Sequence, residues 1–319
     1  MIDYIISENA KAKLNKKCNL ALYPFPLRNP KAKGKRIFEI DFARGFCIFL
    51  MLIVHLLYSL GAVDRFFSHP ANPPEWILVS SNFFSNVFYE IVGGSLYFLE
   101  FFFSGMFMFL SGISSTFSHG NIKRGIQLGI LSVLMTIFLE TIDLFPRLNV
   151  HIYMGILHAL AIGMIIYGLV DFFFKNKWVD FGMGVLFAVA VIITTYMSYE
   201  MTGEMTPPYE RPRIYLTENL VTLANSPNRD QAWKLFFGLA AAGDDYFSPL
   251  LTTCLMFLGA ALGKLLYPAK KSLIKKDFPT TWAKPILFLG RHSLYVYILH
   301  QVVFIVVIFL FLLPFGYRI

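Results

Sequence analysis

The feature that most constrains this chain is a series of apolar segments long enough to cross a membrane. They lie at about residues 40–63, 86–117, 124–145, 150–171, 178–198, 247–267 and 285–313, and 56% of all residues are hydrophobic. A spanning helix needs about 20 apolar residues, and in lipid its backbone polar groups are satisfied within the helix. The sequence therefore predicts an all-α, polytopic transmembrane helical bundle of about seven spans, or eight or more if the two longest segments contain kinks or re-entrant pieces.

The basic residues indicate how the chain is oriented. The formal net charge is +8, but the lysines and arginines form short clusters beside apolar segments, which is the pattern of cytoplasmic loops rather than of a nucleic-acid-binding surface. Residues 1–36 form a basic leader, and the clusters near Arg124, Lys175 and Lys264 fall on the same side as this leader. We predict a multi-pass protein of the cell membrane with a cytoplasmic N-terminus.

The remaining chain, residues 37–319, is predicted to form one transmembrane domain with a long extracytoplasmic loop at about 199–246. Long loops in compact proteins are often functional, so this loop either caps a substrate entrance or is an inert connector. The apolar stretch Ala232–Ala242 inside it is too short to cross a membrane, and Trp233 and Lys234 favour an interfacial or re-entrant helix.

The first apolar segment carries three ionisable residues on one face. At about 100° per residue, Asp41, Arg44 and His55 fall within an arc of about 60°, and Ser59 lies on the same side. Arg44 and His55 are about 16 Å apart along a helix, so one can lie near a membrane surface while the other lies deep. Ionisable groups in a span are costly and usually functional, which makes this face a candidate reaction path.

Two other spans carry histidines. His158 lies in the fourth apolar segment, and on the last one Tyr297 and His300 share a face with Gln301 beside it. These side chains either support chemistry at His55 or simply hydrogen-bond neighbouring helices and hold the bundle together. Acidic residues could orient the His55 ring as the third group of a catalytic relay does, and the candidates are Glu90, Glu100, Glu140 and Asp143.

A metal or haem site is a weaker interpretation of the histidines. No pair of histidines with the spacing HxxxH occurs within a span, and the three cysteines are scattered along the chain. We therefore expect no metal. Small-residue pairs such as Gly259–Gly263 indicate close helix packing, either within one chain or between copies in a homo-oligomer.

Five motifs in order resemble a known family. They are EIDFARG at 39–45 with Arg44 placed eleven residues before His55, FLEFFFSGMFMFLSG at 98–112, GILHAL at 155–160, DDYFSPLLTTCLMFLGAALG at 244–263 and GRHSLYVYILHQ at 290–301. The chain resembles the heparan-α-glucosaminide N-acetyltransferase catalytic-domain-like family, within the transmembrane acyltransferases. The similarity extends from about Arg36 to Leu313.

The resemblance implies that an acyl group, in the first instance acetyl, passes from cytoplasmic acyl-CoA to an extracytoplasmic acceptor such as a sugar or a polymer. Carried over by position, His55 is the catalytic histidine and Arg44 helps to bind the donor. Asp41, on the same helix face, is placed with His55 in the catalytic set.

The residues themselves suggest further roles at the two ends of this path. The phosphates of CoA favour arginines at the cytoplasmic mouth, where Arg124 and Arg291 join Arg44. A neutral His55 deep in the bundle can accept a proton from the acceptor as it attacks the thioester. The developing oxyanion needs a polar donor, and Ser111, Tyr297 and Gln301 are candidates, with His158 and His300 as substrate-contacting or supporting residues.

Three alternatives remain open at this level. A transporter or lipid flippase would use the same intramembrane charges, although the sequence shows no convincing internal repeat. A non-catalytic membrane subunit or sensor is the second. Within the acyltransferase reading, direct transfer and an acyl-histidine intermediate both fit.

Overall fold

In the computed structural model, the described residues are 37–92, 97–118, 120–142, 152–202, 231–243, 245–274 and 282–318. Within them the chain is helical, and the only β-type pairings are two isolated bridges. The helices, in chain order, are α1 (Phe38–Gly61), α2 (Val63–Phe66), α3 (Glu75–Val92), α4 (Tyr97–Ser115), α5 (Asn121–Ile142), α6 (Ile156–Phe173), α7 (Lys177–Thr202), α8 (Trp233–Phe237), α9 (Pro249–Leu266), α10 (Lys284–Arg291) and α11 (Ser293–Leu312).

Six of these helices, namely α1, α5, α6, α7, α9 and α11, are long and apolar enough to cross a membrane, and the Phe102–Ser115 part of α4 is a shorter apolar helix. This confirms the predicted polytopic helical bundle. Of the segment predicted at 86–117, the structure describes the end of α3 up to Val92 and α4 from Tyr97. The segment predicted at 285–313 is divided between α10 and α11 at His292, whose φ of −114° and ψ of 20° leave the helical range.

The stretch Ala232–Ala242 contains only the five-residue helix α8, which is too short to span a bilayer, as the sequence indicated. The helix ends at Gly238, which has a φ of +68°, a left-handed conformation that glycine adopts without steric cost. The residues after it, Leu239 to Ala242, are buried, and the three alanines pack with Tyr246 beside the start of α9.

Glycines allow the central helices to approach each other closely. A Cβ added to Gly112 of α4 would overlap the carbonyl oxygen of Met256 in α9, and one added to Gly259 of α9 would overlap the carbonyl oxygen of Phe109 in α4. Gly45 of α1 and Gly290 of α10 form a second reciprocal pair, each facing a backbone carbonyl of the other helix. Small residues at crossings are how membrane helices gain van der Waals contact.

The two sides of α1 differ in polarity. Phe46, Phe49, Ile53 and Leu56 are exposed along one side, while Ser59 on the other side is fully buried. These apolar residues recur at helical spacing and form the surface that would face lipid. The polar stripe read from the sequence thus turns toward the neighbouring helices α10, α11 and α4.

The end of α11 is tied to the segment that follows α1. Ser68 and Arg318 form an antiparallel bridge, in which Ser68 N donates to Arg318 O at 2.7 Å. Tyr317 is fully buried against Phe66 and Phe67 in an apolar cluster that also contains Leu312. This cluster fixes the ends of α1 and α11 against each other, beyond the point where their histidines meet.

Candidate active site

The ring of His55 is held by the backbone of its own helix. Its Nδ1 lies 3.0 Å from the carbonyl oxygen of Met51, one turn earlier. A carbonyl oxygen only accepts hydrogen bonds, so Nδ1 carries the proton and Nε2 keeps its lone pair. The hydrogen-bond acceptor that fixes the tautomer is thus a backbone carbonyl and not one of the acidic side chains considered from the sequence. In the neutral form of this ring the basic lone pair therefore lies on Nε2.

His300 meets His55 across the contact between α1 and α11. The two rings are edge to face, with centroids 4.7 Å apart and an interplanar angle of 88°. His300 Nδ1 donates to the carbonyl oxygen of Tyr297 at 2.6 Å, so its Nε2 also keeps a lone pair. That Nε2 is buried and has no hydrogen-bonding partner among the described residues, and His300 as a whole is only 8% exposed.

A second contact joins the same two helices one turn further along α1. Gln301 Nε2 donates to Ser59 Oγ at 3.0 Å, and Ser59 Oγ in turn donates to the carbonyl oxygen of His55 at 2.8 Å. The amide oxygen of Gln301 is buried with no hydrogen-bonding partner within the described part of the chain. We call His55, Ser59, His300 and Gln301 the polar seam.

Tyr297 extends this arrangement toward α9. Its ring centroid lies 5.7 Å from that of His300, and its hydroxyl donates to Asp245 Oδ2 at 3.3 Å. Asp245 precedes α9 within the DDYFSPLL motif and also lies near the start of α6, because a Cβ on Gly155 would be 3.3 Å from Oδ2. Sequence reasoning assigned Asp245 no role, since a loop residue carries no periodicity that reveals its neighbours.

His158 lies in a separate pocket and not in the polar seam. Thr136 Oγ1 donates to the carbonyl oxygen of Ile152 at 2.8 Å, so the 3.3 Å contact between Thr136 Oγ1 and His158 Nε2 is a donation from the histidine. Tyr297 connects the two regions, because its side chain also lines this small cavity, together with Ser132, Met135, Thr136, Leu139, Ile152, Gly155, Leu157 and His158.

Ser111 points its hydroxyl at its own helix. Its Oγ donates to the carbonyl oxygen of Phe107 at 2.9 Å, and its own carbonyl oxygen accepts from Ser115 Oγ at 2.9 Å. The proton of the hydroxyl is therefore committed within α4. This geometry gives Ser111 the role of a helix-stabilising residue, and its predicted donation to an oxyanion stays a prediction.

Two of the predicted arginines, Arg44 and Arg291, lie at the other end of α1. Arg44 Nη2 donates to Ser114 Oγ of α4, and Arg291 Nε lies 3.5 Å from Asp41 Oδ2. Asp41 is about 21 Å from His55 along the helix axis, so its predicted catalytic role is at a distance from the imidazole. Arg124 is exposed in the first turn of α5.

A buried ion-pair cluster joins α6, α7 and α9. Lys264 Nζ lies 2.6 Å from Asp171 Oδ1 and 2.8 Å from Asp180 Oδ2, and Asp180 is completely buried. Neither carboxylate oxygen of Asp180 has a hydrogen-bonding partner in the described ranges. The contact between Lys264 and Asp180 is therefore an ion pair rather than an aligned hydrogen bond. In the sequence, Lys264 served only to indicate which side of the membrane its loop faces. Its two acidic partners lie on other helices and were missed.

Two of the four acidic candidates for a relay with His55 have side chains that the structure describes. Glu140 is buried in α5 and Glu90 is exposed on α3. The side chain of Glu100 and all of Asp143 lie outside what the structure describes. No set of three or more His, Cys, Asp or Glu residues within the described ranges is grouped to hold a metal ion.

Comparison with known proteins adds one finding. The family model described as heparan-alpha-glucosaminide N-acetyltransferase, catalytic, matches residues 36–302. No curated protein and no solved structure shows significant similarity to the chain. The matched range contains every residue of the polar seam and all the predicted arginines, and it confirms the resemblance read from the five motifs.

Proposed function

The chain belongs to the heparan-α-glucosaminide N-acetyltransferase catalytic family, and from this premise we propose that it transfers an acetyl group from acetyl-CoA to an acceptor hydroxyl or amine, with His55 as the general base. Membership makes it a membrane acetyltransferase, in keeping with the six membrane-length helices in the described part of the chain. The donor, the acceptor and the residue roles are the proposal. The observation that carries it is the free Nε2 of His55, on the same uninterrupted helix as Arg44.

The donor would bind at the Arg44 end of α1. CoA carries several phosphates, and arginine guanidinium groups pair with phosphate through charge-assisted hydrogen bonds. Arg44 is positioned by Ser114, and Arg291 is positioned by Asp41, so both guanidinium groups are pre-oriented before the donor arrives. In this proposal Asp41 acts through Arg291, and Arg124 lies exposed as an additional phosphate contact.

The transfer itself would take place at the other end of the helix. His55 Nε2 accepts the proton of the acceptor O–H or N–H while the acceptor atom attacks the carbonyl carbon of the thioester. The C–S bond then breaks, and the CoA thiolate takes the proton from the imidazolium. The products are the acetylated acceptor and free CoA. A covalent acetyl-histidine would form at the same nitrogen, and an acyl-enzyme trapped without acceptor would distinguish the two routes.

Gln301 is the best placed of the predicted oxyanion donors. The hydroxyl protons of Ser111 and Tyr297 are already donated to Phe107 and Asp245. The amide of Gln301 has two N–H groups, and one of them donates to Ser59. Its second N–H is available to a developing negative charge near His55.

We further propose that the Arg44 end faces the cytoplasm and the polar seam faces the opposite side. The basic clusters of the sequence support this orientation by the positive-inside rule. It would bring cytoplasmic acetyl-CoA to the arginines and an extracytoplasmic acceptor to His55. Cysteine labelling from each side of sealed vesicles, at introduced cysteines next to Arg124 and next to Ser68, would test the orientation.

The function is tested by transfer of labelled acetyl from acetyl-CoA with the purified protein in lipid nanodiscs. We expect His55→Ala to lower kcat by about 100-fold or more, the usual contribution of general base catalysis. His69→Asn is the matched control, because that histidine pairs with Asp64 outside the spans. Equal activity of wild type and His55→Ala would refute the proposal. Uptake of an acceptor into sealed vesicles without acetylation would identify a transporter instead.

A further inference from the structure

The polar seam holds more hydrogen-bond acceptors than donors. The lone pairs of His55 Nε2 and His300 Nε2 and the amide oxygen of Gln301 all lie along the contact between α1 and α11, and the last two are buried without a partner among the residues described. Buried polar atoms are nearly always paired, because an unpaired one loses its hydration without compensation. Two such atoms on consecutive residues therefore point to a ligand.

Apart from the second N–H of Gln301, the side chains of the polar seam and of Tyr297 have no proton left to offer these three atoms. The Ser59 hydroxyl donates to the carbonyl oxygen of His55, and the Tyr297 hydroxyl donates to Asp245. Nδ1 of each histidine donates to a backbone carbonyl. A molecule that satisfies the seam must therefore bring its own hydrogen-bond donors.

The seam also selects against charge. Its four side chains are two imidazoles, a hydroxyl and an amide and include no carboxylate, so an ammonium group bound there would have no counter-ion within the seam. Neutral hydroxyl groups donate hydrogen bonds without this cost. The chemistry of the seam fits a polyol better than an amine cation.

The spacing calls for two donors on one ligand. His300 touches the His55 ring, whereas Gln301 touches Ser59, which lies about 6 Å further along α1. One hydroxyl directed at His55 leaves the acceptors of α11 unpaired. A second hydroxyl on the adjacent carbon, as on a sugar ring, would reach them.

We propose that His300 Nε2 and Gln301 Oε1 form the acceptor subsite, and that the acceptor is a neutral polyol with two neighbouring hydroxyls. One hydroxyl gives its proton to His55 Nε2 and is acetylated, and the other is held by the acceptors of α11. The inference rests on the proposed acetyl transfer. It adds the class of acceptor and the two residues that select it.

The experiment compares acetyl transfer to trans-1,2-cyclohexanediol and to cyclohexanol, which differ by one hydroxyl, with methyl glucoside as a sugar probe. The readout is the ratio of kcat/KM for diol and alcohol. We expect the wild type to favour the diol by at least about tenfold, since sites built to hydrogen-bond a hydroxyl discriminate strongly against its absence.

Two substitutions test the subsite. His300→Phe keeps an aromatic ring but removes Nε2, and Gln301→Met keeps the length of the side chain but removes the amide. Each should bring the ratio several-fold closer to one.

Val303→Ala is the control, because Val303 is exposed on the same helix and should preserve the ratio. Helix content by circular dichroism and elution volume establish that each variant is folded. A merely structural role of His300 and Gln301 would lower both kcat/KM values in proportion and leave the ratio unchanged, which would overturn the inference. So would a wild type that requires His55 for activity but prefers cyclohexanol or acetylates no diol or glycoside. Absence of any His55-dependent chemistry is a distinct result that refutes the proposed function itself.

Discussion

His55 and His300 meet edge to face with ring centroids 4.7 Å apart, although 245 positions separate them in the chain. Each ring uses Nδ1 for a backbone carbonyl of its own helix, and its Nε2 has no hydrogen-bonding partner in the part of the chain that the structure describes. The site is thus built by two helices that each orient their own imidazole through their own backbone. Such pre-orientation lowers the reorganisation needed when a reactant binds.

Ser59 is expected to act as the link that positions Gln301. Ser59→Ala removes the hydroxyl that accepts from Gln301 Nε2, so the amide is free to rotate away from His55. We expect kcat for acetyl transfer to fall by about tenfold, comparable with the loss of one net hydrogen bond, while KM for acetyl-CoA stays constant. Ser115→Ala is the control, since that buried serine donates only to Ser111 of its own helix. A rise in the donor KM in Ser59→Ala alone would contradict this role.

Arg44 is expected to contribute to donor binding and not to chemistry. Arg44→Gln removes the charge but keeps a polar group that can contact Ser114. Loss of one charge-assisted hydrogen bond to phosphate should raise KM for acetyl-CoA by about 10- to 100-fold with a smaller change in kcat. Arg65→Gln is the matched control, because Arg65 donates to Tyr58 OH at 2.7 Å at the opposite end of α1. An equal effect of both substitutions would show that general charge, not position, matters.

The sequence allowed the polar face of α1 to be predicted because helical periodicity alone decides which residues share a face. Asp41, Arg44, His55 and Ser59 needed no tertiary information. The partners of that face could not be obtained in this way. The rotation of α11 about its axis, which turns His300 and Gln301 toward α1, depends on contacts between helices, such as those of Ile308 and Leu312 in the Tyr317 cluster.

The residues that sequence reasoning missed share a physical cause. Asp245 precedes a helix and meets Tyr297 from 52 positions away, and Lys264 meets Asp171 from 93 positions away. Helical periodicity shows which residues of one helix share a face, but it does not predict which residues of two different helices are in contact. The sequence likewise left open whether His158 supports chemistry at His55, because a position in a span does not show which pocket a side chain enters.

Lys264 is expected to be essential for stability because its ammonium group pairs with two carboxylates. Lys264→Met leaves Asp180 buried without a cation, and removing one partner of a buried pair costs about 3–5 kcal/mol. The measurement is thermal unfolding in detergent. The double variant Lys264→Met with Asp180→Asn removes both charges of the pair and should recover part of the loss. If the double variant were no more stable than the single one, the ion pair would not be the cause.

The crossing of α4 and α9 is expected to tolerate no side chain at its glycines. In Gly112→Ala the new methyl group would overlap the carbonyl oxygen of Met256, and in Gly259→Ala it would overlap that of Phe109, so the helices must separate. Overpacking of this kind costs about 1–3 kcal/mol, and it should lower the unfolding midpoint of each variant.

Gly105→Ala, also on α4, is the matched control for these two glycine substitutions. Its Cβ would lie 3.6 Å from Leu255 Cδ1, an ordinary contact, so the higher helix propensity of alanine should leave stability unchanged or raise it. Equal destabilisation at Gly105 and Gly112 would mean that close backbone approach is not what the glycines provide.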